Sequence, residues 1–500
     1  MQEKFDQLVQ LLNETYNLNA AMAVLGWDQQ TYMPPGGAED RGEQFATLAN
    51  ILHQKVTAPV IGELLQQLTP WAANLDPDSY EVRLLKVTKR QYEREVRVPG
   101  EWVSEYARLT TNAHPVWESA RKESDFSKFK PYLQKIVEMR RQYADFFKPY
   151  DHVYDPLLDE FEPGMKTADV QAIFNQLRPQ QVELIHTIAQ RPQIDNEFMK
   201  LSYPEQGQWD FGVDVITRFG YDWNRGRQDK AAHPFTTNFG IGDVRITTRF
   251  LENLLPSAMF STMHEAGHAL YEMGISKEFE RTPLATGASL AIHESQSRMW
   301  ENFVGRSLPF WKFFYPKLQA IFPSQLNGVD MVAFYKAINK VEPSLIRVEA
   351  DEATYNLHVM LRLELEIGLM EGSIQVENLP QEWNQRMMDY LGITPPNDAL
   401  GVLQDVHWSG GAIGYFSTYA LGNLVAAQLW EVIKQDLPRL EPDMEQGKFD
   451  DLLAWLRENI HRHGAKYEPQ ELVEKITGSK IDPQPYVRYL REKFGTIYSF

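Results

Sequence analysis

An apolar period of 3.6 residues runs through almost the whole chain, and it constrains the fold more than any other feature. "ADVQAIFNQLRPQQVELIHTIAQR" from Ala168 to Arg191 and "DDLLAWLRENIHRHG" from Asp450 to Gly464 are typical of it. The predicted fold class is therefore mostly α. Breaks fall at "MPPGG" (33–37), "FEPGM" (161–165), "TPPND" (394–398) and "WSGGAIG" (408–414), and none is long enough to be a flexible linker. Five hundred residues with 43% hydrophobic content can bury a large core. We read residues 1–500 as a single domain, in one body or two helical lobes. One stretch departs from the rhythm: "HPFTTNFGIGDVRITTRF", His233 to Phe250, alternates and is rich in Thr, Ile, Val and Phe around Gly240 and Gly242. It predicts a short hairpin whose open edge could pair with an extended peptide.

Charge and cysteine usage narrow the function. The formal charge of -18, from 50 Lys and Arg against 68 Asp and Glu, opposes phosphate backbones and anionic lipid, so neither nucleic acid nor a membrane is the expected partner. Cysteine is absent, which excludes disulfides, thiolate catalysis and finger-type zinc sites. Any metal must be held by His and carboxylates. The opening "MQEKFDQLVQLLNETYNL" sets Phe5, Leu8, Val9, Leu12 and Tyr16 at helical spacing without the basic and continuous apolar regions of a signal peptide. No run of 18 apolar residues occurs, and the expectation is a soluble, cytoplasmic protein.

Within "SAMFSTMHEAGHALYEMG" (257–274) two histidines stand four apart, with a glutamate after the first. Pro256 and Ser257 suit a helix start and Gly274 a position just past its end. On such a helix His264 and His268 are turned by roughly 40° and displaced by roughly 6 Å, so both imidazoles reach one ion. Glu265 then lies where it can touch a water on that ion without binding it, the division of labour of a metallopeptidase. A solvated polar stripe is the competing reading, and a third ligand decides between them. "HES" (293–295) lies in a second predicted helix, from about Ser289 to Gly305, with Met299, Trp300 and Phe303 at core spacing. Either His293 or Glu294 could face the metal from there. A solvated face with Ser295, Gln296 and Arg298 outward is equally compatible with the period.

Six ordered motifs resemble the carboxypeptidase Taq type of zinc metallocarboxypeptidase. They are His233-Pro234-Phe235; Asp243-Val-Arg245-Ile-Thr247; His264 to His268; His293-Glu294-Ser295-Gln296; Ile346-Arg347-Val348-Glu349-Ala350-Asp351; and Gly401-Val-Leu-Gln404-Asp405-Val-His407-Trp408. "LGWDQQTYMPPGG" (25–37) is also typical of that family. The resemblance implies a large helical, deep-grooved body with a small sheet beside the metal, similar in outline to angiotensin-converting enzyme and neurolysin. It implies His264, His268 and Glu294 as metal ligands, Glu265 as general base, and a homodimer.

For the remaining residues, chemistry and resemblance combine. A free terminal carboxylate is best gripped by a guanidinium; Arg347 is the candidate, with an ion pair to Glu349 or Asp351 as its structural alternative and Arg245 as the other anchor. An oxyanion needs a donor besides the metal, and "QDVHWSGGAIGYFSTYALG" offers His407, Tyr415 and Tyr419, although the tyrosines could simply pack together. Asp351 and Asp405 are candidate partners of an imidazole N–H. His233 and Asp243 shape either the substrate pocket or the hairpin. His461 and His463 read as a solvated helix end. The expected function is a zinc-dependent metallocarboxypeptidase that releases C-terminal residues from peptides with broad specificity, by Glu-assisted attack of a zinc-bound water. Co²⁺ is an alternative ion. The competing readings are an oligopeptidase or dipeptidyl carboxypeptidase on the same core, and a non-catalytic peptide-binding protein.

Overall fold

The helical rhythm becomes 21 α-helices and one small sheet in the computed structural model, which describes residues 1–500. Several helices begin where a short polar side chain accepts from the first turn, as Ser79 does from Val82 N–H, Asp330 from Val332 and Ala333 N–H, and Ser289 from Ile292 N–H. The expected 168–191 segment forms the helix Thr167–Ala189. The expected 450–464 segment is helical over Asp450–Asn459 and closes in a tight turn, His461–His463. No helix is long and apolar enough to cross a membrane.

That turn corrects one expectation. His461 is fully buried instead of solvated: its Nε2 lies 2.9 Å from Gln296 Oε1, and its ring packs where a side chain on Gly274 would stand. Gly274 is accordingly the last residue of its helix and serves as a packing surface, whereas a residue just past the end was expected.

The hairpin forms as strands β2 (Thr236–Gly240) and β3 (Asp243–Thr248), antiparallel with Thr236 opposite Ile246 and an irregularity between Asn238 and Gly240. A strand that the sequence did not reveal, β1 (Gln228–Lys230), adds in parallel to the other side of β3, giving the order β1-β3-β2. The sheet packs on the helix Leu255–Gly274, which carries the paired histidines, and β2 also meets the long first helix, Gln2–Thr31.

One apolar core of 105 buried residues extends from Ala113 to Tyr498 and contains Met263, Ala266 and Leu270 of the histidine helix. A second core of 15 residues joins Phe5, Leu8 and Leu12 to Ile61, Leu64 and Leu84, and reaches Phe279 and Leu284 of the main body. A groove runs beside the helix Tyr80–Arg97. It consists of two adjoining cavities of about 520 and 620 Å³ that share Gln91, Glu95 and Thr286, and their walls include His293 and Asn238.

Two glycines fix how the helices around the histidines meet. A Cβ on Gly267 would stand 2.6 Å from Ser297 Cα and 2.7 Å from the Gln296 carbonyl, so the helices Leu255–Gly274 and Leu290–Arg298 touch backbone to backbone. A Cβ on Gly422 would stand 2.7 Å from Glu294 Cβ, which seats the helix Ser417–Asp436 directly on the Glu294 side chain. Overpacking such a contact costs about 1–3 kcal/mol or more. We therefore expect Gly267→Ala to lower the melting temperature in thermal unfolding with chelator present, where loss of bound ion cannot contribute.

Candidate metal centre

The helix Leu255–Gly274 buries Ala258, Met259, Met263, Ala266 and Leu270, so the four-residue spacing turns His264 and His268 together to the opposite, partly open face. Opposite them, Glu294 rises from the helix Leu290–Arg298. Its Oε2 lies 3.5 Å from His264 Nε2 and 3.5 Å from His268 Nε2, and one donor atom from each of the three residues falls within 4.8 Å of the others. Two donors each about 2.1 Å from a tetrahedral ion stand roughly 3.4 Å apart, so the two nitrogen–oxygen separations here are compatible with a small divalent cation. His293, the rival donor, faces away: its Nδ1 lies 2.6 Å from Nδ1 of His268.

The carboxylates are held by cations. Arg298 donates to Glu294 Oε1 (2.7 Å) and Glu301 Oε2 (3.1 Å), and its guanidinium lies 4.5 Å from the centre of the Tyr355 ring. Burial alone would raise the Glu294 carboxyl, but Arg298 and the two imidazoles hold it well below the usual carboxylate range. Glu301 is likewise brought down to about 2 against its burial, chiefly by Arg298, and it sits 2.8 Å from His264 Nδ1. Burial lowers His264, yet Glu294 and Glu301 outweigh it and raise its value overall. His268 has no such surplus, and burial brings it down to about 3. Glu265 is 6% exposed and its pKa is raised by burial. The Thr236 hydroxyl of β2 lies 2.7 Å from Glu265 Oε2 and 2.9 Å from its backbone carbonyl, which fixes the carboxylate beside the donor set.

A second charged group lies around Arg347. Arg347 is 5% exposed and donates through Nε (3.1 Å) and Nη2 (2.9 Å) to Asp405 Oδ1, and through Nη1 to the Tyr355 hydroxyl (2.9 Å). Arg362 donates to the other oxygen of Asp405 at 2.7 Å. The ion-pair partner is thus Asp405, not Glu349 or Asp351, and two guanidiniums share one carboxylate. Asp351 stands behind no imidazole: it accepts from the backbone of Glu342, Ala353 and Thr354. Asp405 Oδ1 is 4.0 Å from His407 Nδ1, which has no hydrogen-bond partner.

Burial, aided by Arg347, brings His407 down to about 4, so its imidazole is neutral at pH 7. Its Nε2 lies 3.5 Å from the Tyr419 hydroxyl, and its ring centre lies 5.2 Å from that of Tyr415. Burial raises both tyrosines, so both keep their O–H. They also pack edge to face at 5.2 Å. His233, by contrast, is exposed in the turn before β2. Asp243 and Arg245 pair with each other at 2.8 and 2.9 Å, and Arg245 stacks on Trp27 and Phe239, clasping the hairpin to the first helix.

Sequence reasoning named Arg298 only as an outward residue, although its side chain is 13% exposed, and missed Glu301 and Glu366. Arg298 and Glu301 were readable as a charge series with Glu294 at helical spacing. Glu366 had no local signal. It is fully buried and accepts from the Trp408 indole (2.8 Å), Gly414 N–H (3.0 Å) and the Tyr154 hydroxyl (2.6 Å), so it ties down the loop between His407 and Tyr415.

A helical body around a partly open His, His, Glu donor set, with a further carboxylate between the histidines, is the architecture of a metallopeptidase. The sequence model of the carboxypeptidase Taq (M32) metallopeptidase matches residues 7–494. Thermostable carboxypeptidase 1 of Thermus thermophilus is 41% identical, over 99% of each chain, and carboxypeptidase 1 of Bacillus subtilis is 38% identical, over 98% of this chain and 97% of its own. The crystal structure of the M32 carboxypeptidase from Deinococcus radiodurans R1 superposes with a TM-score of 0.97 at 39% identity, covering 100% of both chains. This chain belongs to the carboxypeptidase Taq metallopeptidase family, and it is a peptide hydrolase.

Burial pushes the Glu366 carboxyl up from its ordinary 4.5 to about 7. The folded protein therefore holds that proton more tightly than the unfolded chain does. The resulting stabilisation is complete below about 4.5 and is lost as pH rises through about 7. We expect the melting-temperature advantage of the native protein over Glu366→Gln to shrink between pH 5 and pH 8, read by thermal unfolding of the two in parallel.

Proposed function

We propose that the chain is a zinc-dependent metallocarboxypeptidase that removes residues singly from the free C-terminus of peptides, with broad side-chain tolerance. The single observation that carries this reading is the buried Glu265 carboxylate, clamped by Thr236 beside a donor set of the right size for the ion. His264, His268 and Glu294 would hold Zn²⁺, with Co²⁺ able to substitute. When bound, the ion supplies Lewis-acid activation of a water and of the scissile carbonyl.

The remaining work falls to the protein's own side chains. Glu265, raised by burial, takes the proton of the attacking water and passes it to the leaving amine. His407, neutral, and Tyr415, with Tyr419 behind it, donate to the oxygen that gains charge. Arg347 receives the terminal carboxylate. The support for that role is charge: Arg347 and Arg362 have only Asp405 between them, so the cluster carries an unmatched positive charge in a nearly dry setting. An anchor that grips the carboxylate and ignores the side chain is the physical basis for broad tolerance.

Asp243, Arg245 and His233 act on substrate, in this reading, only through the hairpin that they shape. Residues 1–500 form one domain around the groove, and a homodimeric, cytoplasmic enzyme completes the proposal.

Glu265→Gln should retain its metal by elemental analysis while kcat falls by about 10²–10⁴. A peptide and its C-terminally amidated form should be cleaved at very different rates when followed by mass spectrometry. Equal rates would replace the carboxypeptidase mechanism with that of an oligopeptidase.

A further inference from the structure

We infer that His293 is the positioning residue for the metal ligand His268, and that it completes a hydrogen-bonded line from the metal centre through Glu272 to Asn238 on strand β2. With His268 as a metal ligand, the distances along this line leave one arrangement of hydrogens. His268 turns its Nε2 toward Glu294 at 3.5 Å, into the proposed donor set; as a ligand that nitrogen would give its lone pair to the ion, and Nδ1 would carry the hydrogen. Nδ1 lies 2.6 Å from His293 Nδ1, which must therefore accept. With Nδ1 accepting, the ring hydrogen of His293 is on Nε2, which lies 2.6 Å from Glu272 Oε1 and donates to it. The other oxygen of Glu272 accepts from the Asn238 amide. Ligation at His268 Nε2 thus sets the direction of every bond in the line, and with it the tautomer of each ring.

The His293 ring is also held from its faces. Tyr271 lies tilted against it at 5.1 Å between ring centres, and Gly287 closes the slot so tightly that a Cβ there would lie 2.8 Å from His293 Cδ2. The two ligand histidines are consequently supported in different ways. His264 meets a carboxylate directly at Glu301, whereas His268 meets one only through a second imidazole. Asn238 sits at the irregularity of β2, two residues beyond the Thr236 that clamps Glu265, so one strand fixes both the base and the far end of the ligand's support. Groups of this kind behind a metal ligand typically alter metal affinity by 10–100-fold.

The inference rests on the metal assignment proposed above, and the experiment separates the two. Zn²⁺ dissociation constants by chelator competition and the visible spectrum of the Co²⁺-loaded protein are compared for the native chain, His293→Phe, which keeps a ring but no acceptor, and Glu272→Gln. If the native chain bound no metal, the metal assignment would be wrong. If the native chain binds, we expect Zn²⁺ affinity to weaken by about 10–100-fold in His293→Phe and by a smaller factor in Glu272→Gln, with a changed Co²⁺ spectrum in both. Metal-free melting temperatures should stay close to the native value. Affinities within twofold of native and unchanged spectra would overturn the inference, as would a weakening matched by loss of metal-free stability. Should His293→Phe not fold, Glu272→Gln decides between the same outcomes by the same measurements.

Discussion

The backbone contact at Gly267 is the constraint on which the rest of the structure depends. Three donors converge because the helices Leu255–Gly274 and Leu290–Arg298 approach until main chain meets main chain, something only a residue without a Cβ permits. On the far side, Gly422 repeats the device, so the Glu294 helix is held between two neighbours at minimal separation. The second neighbour, Ser417–Asp436, starts beside Tyr415 and contains Tyr419. The position of the tyrosines is thereby tied to the position of Glu294. A shift at one crossing would move donor set and aromatic loop together.

Around this frame, charge is distributed unevenly, and the unevenness is informative. Glu294 and Glu301 have Arg298 and the two imidazoles against them, and both carboxylates stay ionised despite burial. The Arg347 cluster is short of anions. Its nearby imidazoles do not add to the excess, because burial lowers both His358 and His407. Glu366 follows a third pattern, three neutral donors and no cation in direct contact, which leaves burial in control. The same residue type is thus held ionised at Glu294, raised at Glu265 and raised again at Glu366, where it clamps a loop, according to what faces it.

How much of this was legible in the sequence depends on range. The His264, Glu265, His268 spacing was legible because helix geometry is local and the residues lie within one and a half turns. Choosing Glu294 over His293 was beyond the period. Adjacent residues differ by about 100° around a helix, and the rotation that selects one is set by packing at Gly267 and Gly422. Arg347 stood out, but its partner Asp405 is 58 residues away, and two nearer acids offered themselves instead. His461 looked solvated because "HRH" is polar, whereas its burial depends on Gly274 and Gln296, far off in the chain. Strand β1 escaped because "QDK" has neither length nor alternation and exists only as an addition to β3. The hairpin, with its alternation and paired glycines, was readable as it stands.

The size of the main core has a consequence for what a bound ion does to stability. Small zinc modules fold only as they bind, so assembly and metallation are one event. Here the helices that carry the donors are fixed by a core of 105 buried residues, together with caps, ion pairs and helix crossings. The stability of the fold rests on that apolar core, so the body does not depend on an ion in order to assemble, and a bound ion would add to stability that is already present.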